Sequence, residues 1–243
     1  MTPEYRVLLS CFLRTYLVGA NFNTRGMQNI GLSYAIDPGL KALYQSGRPL
    51  RRARKRYLQH YNTHPFWTPL LVGFFLFLER KITRGLLPEK SVADVRTTTV
   101  YTLSAIGDSF FGGAVLVFWS LTTVFVLLQG SVHWALAWTG LWFFALQVFK
   151  MYTFFGGVRE GLIFLQRLKH WNLINWGQRL KVVNGFLIVV LWMHVFPLSD
   201  PLYWLPMALS ICALAWLAAK LYWAREILII IFAASSMVFA WVF

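Results

Sequence analysis

From about position 105 to its end, this chain is a series of apolar runs separated by short polar or basic segments. The runs fall at 109–128, 134–149, 182–196, 202–219 and 227–243. A helix that crosses a bilayer needs roughly 20 mostly apolar residues, because lipid offers no partner for an exposed backbone N–H or C=O. Each run is therefore a candidate span. Composition points the same way: of 243 residues 58% are hydrophobic, with 12 Trp and 21 Phe, more apolar surface than a soluble domain of this length can hide.

The charges test this reading. The net charge is +14, and the position of that charge decides what it means. Fifteen of the 23 Lys and Arg precede position 97; six more lie at 150–181, and Lys220 and Arg225 complete the set. If the N-terminus is cytoplasmic, the inside regions are 1–100, 150–181 and 220–225, and they hold every Lys and Arg. The outside turns, 129–133 and 199–201, hold none, and Asp200 lies in the second. This obeys the positive-inside rule throughout and puts the C-terminus outside. No nucleic-acid-binding motif accompanies the basic residues, so nucleic acid is not an expected partner.

The first hundred residues predict amphipathic helices at 4–18, 26–44 and 48–60, the last opened by Pro49 and facing anionic lipid headgroups. The apolar stretch 7–20 is interrupted by Arg14 and lacks a preceding basic region, so it does not read as a cleaved signal. Residues 66–78 are apolar but too short to cross, and Glu79, Arg80, Lys81 and Arg84 follow at once. That pattern predicts a re-entrant or buried half-helix. The expected fold is thus all-α and polytopic. An N-terminal amphipathic and re-entrant region (1–98) precedes a transmembrane region (99–243) of about five spanning helices.

Three stretches place polar groups beside Gly or Pro and against apolar runs: N-F-N-T-R-G-M-Q-N-I-G at 21–31, Y-N-T-H-P-F at 61–66, and A-I-G-D-S-F-F-G-G at 105–113. Membrane transporters build substrate sites from broken helices of this kind. Amides, carboxylates and Arg suit sugar hydroxyls, which both donate and accept hydrogen bonds. Asn21, Arg25, Gln28, His64 and Asp108 are the candidate substrate-binding residues that these stretches offer, and a lone His before Pro65 is more often a hydrogen-bonded structural residue. Asp108 is either a carboxylate for a ligand or the N-cap of a span opening at position 109. Arg25 is either a donor or a solvated charge, and the amides either contact ligand or order their loop.

Other chemistries find no support. His60, His133, His170 and His194 show no metal-ligand spacing. There is no H-E-x-x-H, no G-x-S-x-G and no Gly-rich phosphate loop, so neither a catalytic residue, a metal nor a cofactor is expected. Cys11 and Cys212 lie in unrelated segments and predict no disulfide. Arg159 and Glu160 after Gly156-Gly157 form either a small local site or a helix-breaking turn.

At these motifs the chain resembles the IID component of the mannose/fructose/sorbose-type sugar phosphotransferase system. The family shows Asn-Phe-Glu-Arg-Met-Gln-x-Leu-Gly near its start, similar to 21–31 here. Its Phe-Asn-Thr-His/Gln-Pro stretch, followed by an apolar half-helix and a Glu, resembles Tyr61-Asn62-Thr63-His64-Pro65 leading to Glu79. Its Gly-x-Gly-Asp resembles 105–108, and a later aromatic-Gly motif resembles Tyr152 to Gly157. Asn23-Thr24 stand where the family carries its acidic residue. The resemblance implies a bacterial inner-membrane transport subunit that forms a hexose path with a IIC partner, and it makes Asn21, Arg25, Gln28, Asn62 and Thr63 candidate sugar-facing positions. Soluble IIA and IIB proteins would carry the phosphoryl group, and this chain none. The missing acid leaves two expectations open: a permease for another sugar, or a transport-inactive membrane protein that docks regulators.

Overall fold

A computed structural model describes residues 3–195 together with Leu209 and Ala213. The chain divides into two compact units, residues 1–189 and 190–243. All regular structure among the described residues is helical apart from two isolated bridges in the polar loops.

Helix α1 (Pro3–Arg14) tightens into a 3-10 segment (Thr15–Asn21), and α2 (Asn29–Tyr44) packs against both. Close backbone approach fixes this contact: a Cβ on Gly31 would lie 2.1 Å from the Val18 carbonyl oxygen. Pro38 sits inside α2 and has no N–H for the Tyr34 carbonyl. Arg14 donates to that carbonyl at 3.3 Å, and its guanidinium lies 4.4 Å from the Tyr34 ring centroid. Helix α3 (Gly47–Tyr57) buries Leu50, Ala53 and Tyr57 along one side. Arg48, Arg51, Arg52 and Lys55 remain exposed on it, without an ion pair among the described residues.

The predicted half-helix is α4 (Thr68–Thr83), with Pro69 in its first turn. Every residue from Thr68 to Leu76 is buried, as befits a helix that is apolar all round. It forms the centre of the unit, touching α1, α2, α5 and α7. At the α4–α7 crossing two glycines bring the backbones together: a Cβ on Gly73 would lie 2.3 Å from the Phe154 oxygen, and one on Gly157 would lie 2.7 Å from the Leu70 oxygen.

Helix α5 (Glu89–Gly107), a π-helical segment (Asp108–Val115) and α6 (Leu116–Leu128) form one unbroken rod. This corrects the expected span start at 109. Asp108 has φ −62° and ψ −42° and makes no capping bond, so it lies within a helix instead of opening one. After a turn at Gly130, α7 (Val132–Glu160) runs past the expected end at 149. Gly161, at φ 60°, turns the chain into α8 (Leu162–His170), and α9 (Leu173–Val195) follows. Arg159 and Glu160 are the last residues of α7, and Glu160 pairs with Arg167 across the break at Gly161 at 2.8 Å.

Three helices among the described residues are long and apolar enough to cross a membrane: Val92–Leu128, Val132–Glu160 and Leu173–Val195. The expected spans at 202–219 and 227–243 lie outside the described residues. With 37 and 29 residues, the first two are about 55 and 44 Å long, against a hydrocarbon core of about 30 Å. The surplus explains a division of labour in α7. Its first half leaves Phe143 and Phe144 each 65% exposed, whereas Thr153, Phe154, Gly157 and Val158 in its last turns are buried against the N-terminal helices.

Candidate functional site

The three polar stretches, far apart in sequence, meet in the structure. The loop after the 3-10 segment is shaped by Asn23, whose Oδ1 accepts the Gly26 N–H at 2.8 Å while its Nδ2 donates to the Met27 carbonyl at 3.0 Å. Met27 takes a φ of 60°, uncommon for a side chain of its size, and this turns the loop towards the second stretch. There the Gln28 N–H donates to the Tyr61 carbonyl at 2.8 Å and the Tyr61 N–H to the Gly26 carbonyl at 3.1 Å. The Gln28 side chain closes the contact by accepting the Thr63 N–H on Oε1 at 3.3 Å.

The third stretch joins through packing. Gly107 lies directly on the second stretch, where a Cβ would fall 2.4 Å from His64 Cβ and 2.7 Å from Trp67 Cδ1. Phe111 forms a hub, with ring centroids 5.3 Å from His64, 5.0 Å from Phe66, 5.2 Å from Trp67 and 5.3 Å from Phe149 of α7. Behind it, Asn184 of α9 donates to the Ala114 carbonyl at 2.9 Å, and Lys181 donates to Ser109 Oγ at 3.0 Å. Both bonds land on the π-helical segment, where the altered ladder changes which carbonyls are free.

Each predicted residue has a definite place. Asn21 ends the 3-10 segment and is exposed, as is Arg25, which has no ion pair among the described residues. Gln28 and Asn62 are half-buried. Thr63 is 3% exposed and its Oγ1 has no hydrogen-bond partner. Burial holds the His64 imidazole below its ordinary pKa, Asp108 pulls the other way and Lys150 adds to the lowering. The Asp108 side chain is exposed on the rod.

A common depth links these groups. Asp108 stands 20 residues from the end of α6 at Leu128 and Lys150 18 residues from the start of α7 at Val132, so each is about 30 Å along its helix from the turn at Gly130. That is one hydrocarbon thickness. The motifs therefore gather at a similar distance along both helices from this turn.

Sequence reasoning missed two contributors. Lys150 read as a mere boundary charge, yet its ammonium sits 4.5 Å from the Tyr16 ring centroid and 5.0 Å from that of Phe66. With Gln28, Thr15, Tyr16, Pro65 and Thr68 it lines a pocket of about 180 Å³. The other is the setting of Glu79, which is 0% exposed. Its carboxylate accepts from Tyr44 at 2.6 Å, from Tyr57 at 2.7 Å and from two nitrogens of Arg56 at 2.6 and 3.0 Å. Arg56 also reaches Glu89 at 2.8 Å, so one cluster ties α2, α3 and α4 to the start of α5.

Known proteins resemble this arrangement along most of the chain. Aligned with the fructose permease IID component of Bacillus subtilis (strain 168), it is 24% identical over 157 residues, covering 64% of this chain and 56% of that one. With the mannose-specific EIID component of Escherichia coli (strain K12) it is 26% identical over 152 residues, covering 62% and 52%. The chain thus spans about half the length of these relatives. Its fold matches a chain in the cryo-electron microscopy structure of the mannose transporter ManYZ with microcin E492 (MceA), at a TM-score of 0.59 and 21% identity, covering 98% of this chain and 97% of that one. A further solved membrane protein matches at a TM-score of 0.67 and 22% identity, covering 78% and 70%. Residues 4–201 match the family described as PTS system mannose/fructose/sorbose family IID component, and a match over so much of the chain makes this polytopic membrane protein a member of the IID family.

Proposed function

We propose that this chain is the IID-type membrane subunit of a sugar-transporting phosphotransferase permease, forming a hexose path with a IIC-type partner. The observation that carries this reading is the convergence of three polar stretches, supplied by a bent loop, the approach to a buried helix and a π-helical segment, at one edge of the spans. Asn21, Arg25, Gln28, Asn62, Thr63, His64 and Asp108 are the proposed sugar-facing set. In this role the chain performs no phosphoryl transfer itself; soluble IIA and IIB partners supply it. Five spans are proposed, with the N-terminus and the converged motifs cytoplasmic and the C-terminus outside, in a bacterial inner membrane. The free cations of α3 then lie against anionic headgroups.

One observation favours a second reading, a transport-inactive member that docks regulators. Asn23 stands near the family's acidic position, and its amide is spent on shaping its own loop. Purification of the tagged chain from its native membrane, followed by mass spectrometry, separates the two. A near-equimolar IIC-type subunit supports the permease, whereas recovery with soluble regulators alone supports the second reading. Within the permease reading, Asn62→Ala is expected to lower hexose uptake about tenfold, the scale of one lost ligand hydrogen bond, with assembly intact. Normal uptake at normal expression removes Asn62 from the set.

A further inference from the structure

The pocket beside Lys150 carries a positive charge without a counter-ion. Lys150 is half-buried, its ammonium lies between the rings of Tyr16 and Phe66, and no carboxylate pairs with it among the described residues. Ring faces compensate part of the lost hydration, but an ammonium withdrawn from water still gains most from an anion.

The remaining lining favours the same ligand. Gln28 has committed its carbonyl oxygen to the Thr63 N–H, which leaves its NH₂ group to donate. Thr15 has spent its hydroxyl hydrogen on the Phe12 carbonyl at 2.6 Å, and Tyr16 has spent its own on Gln147. No Asp or Glu lines the pocket. The Thr15 and Tyr16 oxygens are left as acceptors for hydroxyl groups, but a neutral sugar would leave the Lys150 ammonium uncompensated. A phosphate group is rich in acceptor oxygens and carries the missing charge.

We infer that this pocket, of about 180 Å³, binds a small phosphate monoester of sugar size, with Lys150 as its ionic contact and the Gln28 amide as a second donor. Because it shares Gln28 with the proposed sugar-facing set, the inference deepens the transport reading: the phosphorylated form of the sugar, not only the free one, is held at this edge of the spans.

The test uses the full chain in phosphatidylcholine nanodiscs, titrated with mannose 6-phosphate, mannose and inorganic phosphate, with thermal unfolding and Trp fluorescence as readouts. The wild-type chain is expected to bind mannose 6-phosphate at least about tenfold more tightly than mannose, as a charge-assisted contact gives. Lys150→Gln is expected to erase that preference. Lys150→Arg keeps it, and Lys169→Gln, which removes an exposed lysine away from the pocket, leaves binding unchanged. The inference is overturned if the wild-type chain binds no phosphate compound, binds mannose equally well, or keeps its preference in Lys150→Gln. It is also overturned if phosphatidylglycerol discs abolish the response, since a lipid headgroup then fills the site. The wild-type arms decide the matter even if a variant fails to fold. A chain that supports hexose uptake yet ignores mannose 6-phosphate rejects this inference alone and leaves the transport reading standing.

Discussion

A carboxylate with no solvent exposure persists only where donors surround it, and Glu79 has four hydrogen bonds from three side chains. Burial and the adjacent carboxylate push the Tyr44 and Tyr57 phenols above their usual range, so both remain protonated donors at neutral pH. Burial opposes the charge of Arg56, but Glu79 outweighs it and holds the guanidinium protonated. Replacing Glu79 with Leu leaves Arg56 withdrawn from water with only Glu89 to face. Breaking a buried pair on one side costs about 3–5 kcal/mol, so Glu79→Leu should sharply lower the unfolding temperature of the detergent-purified chain, and an unchanged temperature would show that the cluster does not hold the helices together. Sequence made Glu79 visible only as the acid after an apolar run. Its partners come from three other segments, and no local spacing announces them. The same limit hid Lys150, whose meaning depends on Tyr16 and Phe66, both more than 80 positions away.

Elements show why some boundaries were legible and others not. The turn at Gly130 and the apolar cores of α6 and α7 follow from hydropathy alone. The ends far from this turn did not, because a membrane helix that continues into a protein bundle exchanges lipid for buried side chains without a break in its ladder. Gly107 and Asp108 looked like a helix start for this reason, yet the rod passes through them and marks the place only by a π-helical turn. Glycines separate into two kinds on the same grounds. Gly157 meets the α4 backbone, with the Leu70 oxygen 2.7 Å and the Phe74 nitrogen 2.9 Å from a built Cβ, and neither atom can yield without moving a helix. Gly112 has nothing within 4 Å. Gly157→Ala should therefore cost at least about 1–3 kcal/mol by overpacking, while Gly112→Ala should be neutral or stabilise by up to about 1 kcal/mol through helix propensity. Thermal unfolding of the two single variants distinguishes them, and equal stability would mean that the α4–α7 crossing is not a close contact.

At the scale of the whole molecule, the expected order of spans rests on a charge map whose inside regions hold every Lys and Arg, and three of the expected spans fall on helices long and apolar enough to cross a membrane. The interior was less readable: a fully buried helix such as α4 and a short lipid-facing one share the same apolar composition, and only its neighbours tell them apart. Asp108 and Lys150 stand about 30 Å along their helices from the Gly130 turn, about one hydrocarbon thickness, so two spans that cross together there would hold the turn on one side and the polar site on the other. The proposed orientation puts the site, together with the basic face of α3, in the cytoplasm. In a background with Cys11→Ala and Cys212→Ala, Ser131→Cys should react with a membrane-impermeant maleimide added to intact cells. Lys55→Cys should react only after the membrane is opened. The reverse pattern would invert the chain, turn α3 away from the anionic cytoplasmic leaflet and place the polar site where no soluble phosphoryl carrier can reach it, so it would overturn the permease assignment as well as the topology.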